Sequence, residues 1–138
     1  MDRKKIAILD GQGGGFGRRL AENLILEKVD SDLIVVGTNA VATSNMMKAG
    51  VKHGATGENA WIYNCEKVDI IIGPIGILIE NSMYGEISQQ MSSAVMNSNA
   101  EKVILPISND HIYLVGVGDK KLSEYIEEMV ELVIQIIN

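Results

Sequence analysis

Along the chain, short unbroken apolar runs alternate with stretches whose apolar residues recur every three or four positions, as strands and helices do in a parallel α/β sheet. Residues 6–9 form the first run and stop at Asp10. Leu20, Leu24 and Ile25 then recur at helical spacing, with Arg19, Glu22, Asn23 and Glu27 between them. Residues 33–36 are a β-branched run of the kind buried on both faces, and residues 40–49 predict a short helix that Gly50 would close. Residues 53–60 are polar and punctuated by glycine, which predicts a loop. Residues 61–65 predict a third strand near an edge, and residues 69–72 a fourth, ended by Gly73-Pro74-Ile75-Gly76. Residues 77–83 leave helix and irregular structure both open. After a turn at 84–87, Ser88 suits the N-cap of a helix reaching residue 97, and residues 103–107 predict a fifth strand. The short polar link Asn109-Asp110 then leads to an apolar run at 111–117, so a hairpin and an antiparallel sixth strand at the edge are expected.

The last periodic stretch, residues 122–137, puts Glu124, Glu128, Glu131 and Gln135 on one stripe and leaves nearly everything else apolar. That arc is wider than docking on one sheet requires, which predicts a homo-oligomer, most simply a dimer, formed partly through this helix. Full burial within one chain is the alternative. Residues 1–138 contain no repeat or linker and read as a single domain. The strands and helices together predict a doubly wound, mostly parallel sheet in the order 3-2-1-4-5 with strand six antiparallel at its edge.

The densest chemical signal lies between the first strand and its helix. Gly11, Gly13, Gly14, Gly15 and Gly17 fall within seven positions, with Gln12 among them and Asp10 just before. Such a turn lets a ligand approach the backbone closely, and the free amides of the following helix favour an anion. The dinucleotide pattern G-x-G-x-x-G fails from Gly11 and from Gly13, and the phosphate-binding G-K-S/T ending is absent. Gly11, Gly15 and Gly17 do fit G-x-x-x-G-x-G, which resembles the cofactor loop of short-chain dehydrogenases. A purely structural turn is the plainer alternative.

In a doubly wound sheet the loops after strands one and four face each other, so Gly73, Pro74 and Gly76 are expected to wall the same crevice. Past strand two, where a dinucleotide-binding unit carries an acid for the ribose diol, the chain has Thr38 and Asn39. These can touch sugar, phosphate or metal, or simply cap the next helix. Asp10 is either a ligand contact or a brace for the glycine loop, and Arg18 either steers an anion or faces solvent.

A net charge of −6 speaks against nucleic acid or an anionic membrane as the main partner. The lone Cys65 permits no disulfide within the chain, and the N-terminal apolar run is too short for a secretory signal, so a cytoplasmic setting is expected. His53 and His111 lack metal-site spacing, and no metal is expected. Tyr63 and Lys67 have the Tyr-x-x-x-Lys spacing of a reductase, but on a predicted strand rather than one helix face. Glu58 and Glu86 lie on predicted loops and become acid–base candidates only if the fold brings them to the crevice. No catalytic residue is assigned.

Four segments, GQGGGFG, GTNAVAT, GATGENA and GPIGI, resemble a family of short bacterial proteins catalogued as a domain of unknown function. The resemblance runs from Ile6 to about Val117 and implies a small Rossmann-like protein. It carries no activity, cofactor or catalytic residue. On the residues alone, the expectation is a small protein binding a nucleotide or another phosphorylated small molecule, with a nucleotide or dinucleotide as the compatible cofactor. An NAD(P)-dependent reductase or other enzyme on a phosphorylated metabolite, and an oligomeric subunit with a structural glycine loop, are the alternatives.

Overall fold

The computed structural model describes residues 3–107 and 111–138. Five strands make one parallel sheet: β1 (Lys4–Asp10), β2 (Ser31–Gly37), β3 (Gly54–Thr56), β4 (Ile70–Pro74) and β5 (Glu101–Leu105). Their order is β3-β2-β1-β4-β5, with Ile8 beside Val35 on one side and Ile72 on the other. The helices are α1 (Gly15–Leu26), α2 (Ala40–Met47), α3 (Glu58–Cys65), α4 (Gln89–Asn97) and α5 (Leu122–Ile137), and a 3-10 turn spans Ile75–Leu78. This is the expected doubly wound, Rossmann-like α/β architecture.

Alternation along the central strand explains the two layers. Ile6 and Ile8 face Leu20, Leu24, Met46 and Met129, so α1, α2 and α5 cover one side. Ala7 and Leu9 face Trp61, Met91 and Val95, which puts α3 and α4 on the other. Both faces of β4, and of β1 from Ile6 onward, are therefore dry, as their apolar runs require. Ser88 caps α4 by accepting the Met91 amide, and α5 buries Ile126, Met129, Val130 and Val133 while leaving Leu132 and Ile136 partly in solvent. No helix among the described residues is long and apolar enough to cross a membrane.

Three expectations are corrected. Residues 61–65 belong to helix α3, not to a strand: Trp61 and Cys65, four apart, share the buried face while Tyr63 is exposed. The third strand is Gly54–Thr56, inside the segment expected to be a loop, tied to β2 where the Val35 amide donates to the His53 carbonyl. The strand order survives with different residues in the third place.

Nor do residues 111–117 form a sixth strand; they run irregularly past β5 with Tyr113 and Val115 exposed. The chain is drawn toward α5 instead, where the Tyr125 hydroxyl donates to the Gly118 carbonyl. The expected link at Asn109-Asp110 lies outside the described residues.

Candidate functional site at the glycine loop

Asp10 ends β1 with 2% of its surface exposed, because the strand is buried to its last residue. Its two carboxylate oxygens accept the amides of Gly11 and Gly17, each at 2.8 Å, and so clamp both ends of the glycine loop. Burial pushes this carboxyl up to about 6, against the lowering effect of those two amides and with some help from the charge of Glu86. The brace alternative thus has direct geometry.

The five glycines divide into two kinds. Gly14 sits at φ +73, and a Cβ there would lie 2.6 Å from the Ala42 carbonyl oxygen of α2. Gly17 packs on Met46, and a Cβ on Gly11 would meet Met83 Sδ, Glu86 Oε1 and Thr38 Oγ1 within 2.8 Å. These three are demanded by the protein's own packing. Gly13 and Gly15 are different: both are exposed, neither has a positive φ, and nothing lies within 4 Å of the Cβ each lacks.

Both glycines line a cleft of about 830 Å³, and Gly13 also borders a smaller one beside α2. Asp10 and Gly11 through Phe16 form one wall, and Pro74, Gly76, Met83 and Tyr84 stand on the other, with Ile107, His111 and Leu122 at the end nearer α5. The amides of Gly13, Gly15 and Phe16 have no acceptor among the described residues. At the start of a twelve-residue helix such donors suit an anion.

Not every expected site residue faces this space. Gly73 lies in β4 against the Leu9 carbonyl, and Gly17 is buried beneath α2, so neither lines the cleft. Arg18 turns toward α2, its Nη1 donating to Asn45 at 2.8 Å. The neighbouring Arg19 lines the cleft instead, without an ion-pair partner among the described residues. One helical step, 100° of rotation, separates the two directions, and helical phase in the sequence carried that information.

Thr38 and Asn39 sit on the opposite flank of the loop and serve another partner. Glu86, from the loop before α4, accepts the Gln12 amide at 2.8 Å, Gln12 Nε2 at 2.9 Å, Asn39 Nδ2 at 3.3 Å and the Thr38 hydroxyl. Burial raises this carboxyl, but the combined donors outweigh it and hold Glu86 below the ordinary carboxylate range. Asn39 also caps α2 through Oδ1, so cap and contact coexist in one side chain.

Tyr63 and Lys67 stack on each other at 5.4 Å beside α3 and do not line the cleft. Glu58 accepts the Ser88 hydroxyl, apart from the glycine loop. Cys65 is buried, its thiol pushed up to about 12 by desolvation, as befits a small core residue rather than a nucleophile.

With this geometry in place, comparison with known sequences is decisive on family. Residues 5–138 match the family described as Domain of unknown function (DUF3842). The chain belongs to that family. No curated protein matches the sequence. Among solved structures, a putative alcohol dehydrogenase from Thermotoga maritima is similar at 15% identity and a TM-score of 0.48, over 99% of this chain and 38% of that one. The chain thus spans little more than a third of that neighbour's length.

Proposed function

We propose that this DUF3842 member binds a phosphorylated small molecule, a nucleotide or a smaller phosphate ester, with its phosphate on the amides of Gly13, Gly15 and Phe16. The observation that carries the reading is the emptiness around Gly13 and Gly15, where neither packing nor backbone conformation calls for glycine. A ligand pressed against the backbone would call for it. Arg19 adds a positive charge to the same wall, and the cleft's volume falls within the range of small-molecule sites.

Two alternatives fare less well. A loop that is structural throughout accounts for Gly11, Gly14 and Gly17 but leaves Gly13 and Gly15 without a reason. A reductase of the short-chain type has no support from Tyr63 and Lys67, which lie away from the cleft.

Native mass spectrometry of freshly purified protein, followed by thermal-shift titration with pyrophosphate, nucleotides and sugar phosphates, tests the proposal. A retained or added phosphate-bearing ligand that raises the melting temperature is expected, since a ligand stabilises the state it binds. A melting temperature unmoved by every one of them would remove it.

A further inference from the structure

The crevice across the strand ends has two halves, and the chain itself fills one of them. In a dinucleotide-binding sheet the cofactor's ribose lies over the first glycine loop toward the end of β2, held there by an acid that follows that strand. Here the two residues that follow β2, Thr38 and Asn39, both donate to Glu86, which arrives from the far side of β4. The same carboxylate takes the Gln12 amide and the Gln12 side chain. A carboxylate offers about four acceptor positions. Three donors crowd Oε1 and one holds Oε2, so a single position on Oε2 is left where a sugar diol needs two.

The segment that delivers Glu86 is built to stay in place. Residues 79–87 fold back on themselves: the Asn81 amide donates to the Ile87 carbonyl at 2.7 Å, and the Ile87 amide to the Ser82 carbonyl at 3.3 Å. Ile87 and Ser82 are buried, and the Ser82 hydroxyl holds the Gly76 carbonyl. Met83, at positive φ, is held from the glycine loop, where Gln12 Nε2 donates to its carbonyl at 3.1 Å. Met83 Sδ and Glu86 Oε1 then press so closely on Gly11 that a single Cβ would not fit.

We infer that this strap, with Glu86 standing where the adenosine ribose of a dinucleotide would lie, restricts the site to compact phosphorylated ligands that extend from the glycine loop toward Pro74, Ile107 and Leu122. The inference rests on the phosphate-binding reading of the cleft. It adds the ligand class: one phosphate or pyrophosphate group on a small body, and not NAD or NADP. The half toward β2 is closed by the protein's own anion, while the half toward β4 and β5 holds the open volume.

Calorimetric titration of the 138-residue chain with inorganic pyrophosphate and with NAD⁺, whose diphosphate is esterified at both ends, separates the possibilities. Pyrophosphate is expected to bind, and NAD⁺ at least about tenfold more weakly, equivalent to about 1.4 kcal/mol. In Glu86→Ala the strap loses its carboxylate contacts with Gln12, Thr38 and Asn39 and keeps only the Met83 carbonyl on Gln12 Nε2, and the NAD⁺ deficit should shrink to about threefold or less. Should that variant fail to fold, Glu86→Gln, which turns a donor toward the Gln12 amides, is read the same way. NAD⁺ binding as tightly as pyrophosphate in the unaltered protein overturns the exclusion but leaves the phosphate cradle standing. An undiminished NAD⁺ deficit in the folded variant overturns the part assigned to Glu86. Failure of pyrophosphate itself to bind overturns the cradle, and this inference with it.

Discussion

Asp10 Oδ2 accepts the amide of Gly17 at 2.8 Å, seven residues along the chain, while its other oxygen holds Gly11 at the same distance. One carboxylate therefore sets the span of the glycine loop and the direction in which α1 leaves it. Removing the carboxylate exposes how much of the loop depends on it. In Asp10→Ala two buried amides lose their acceptors, and each orphaned donor costs about 1–3 kcal/mol. Even with the buried charge relieved, a loss of about 2 kcal/mol is expected without any ligand, seen as a lower denaturation midpoint. An unchanged midpoint would show that Asp10 is no brace.

The same group predicts an unusual dependence on pH. Its carboxyl titrates at about 6 in the folded chain and near 3.8 when unfolded. Between these values the folded state binds more protons, so stability should rise as pH falls from 7 through 6 toward 4, by at most about 3 kcal/mol. Glu86 has the opposite sign: held below its ordinary 4.5, it contributes stability above that value and loses it as pH falls further. A melting temperature that climbs from pH 7 to 5 and drops below pH 4 is expected. Asp10→Asn should remove the climb and leave the drop.

Substitution of the glycines should separate packing from binding. Gly14→Ala places a Cβ against the Ala42 carbonyl at a positive φ and should destabilise the chain by more than about 1 kcal/mol. Gly13→Ala and Gly15→Ala meet only open space and should alter unfolding by less than about 1 kcal/mol. Each should nevertheless weaken pyrophosphate binding at least about tenfold in calorimetry. Unchanged affinity in folded Gly13→Ala and Gly15→Ala would place the phosphate elsewhere.

We propose that a second copy covers the face where Leu132 and Ile136 of α5 stand partly exposed beside β5, an edge strand paired among the described residues only with β4. Light scattering after size exclusion should then give a multiple of the 15.0 kDa chain mass, and Leu132→Lys should return it to a single chain. A single-chain mass for the unaltered protein would discard this assembly.

What the residues by themselves determined is the scaffold and the place of interest on it. Unbroken apolar runs marked β1, β2, β4 and β5, helical spacing marked α1 and α5, small residues closed by Gly50 marked α2, the Ser88 cap marked α4, and the sheet order followed from alternating strands and helices. These signals are local, arising from backbone geometry and side chains within a turn or two. Tertiary structure decided the rest. Trp61 and Cys65 became a helix face because a core was there to receive them, and a three-residue β3 was too short to leave a periodic trace. The contact between Gln12 and Glu86 spans 74 positions, and no local pattern carries it. It exists because β1 and β4 lie side by side, so that loops remote in the chain meet at the same end of the sheet.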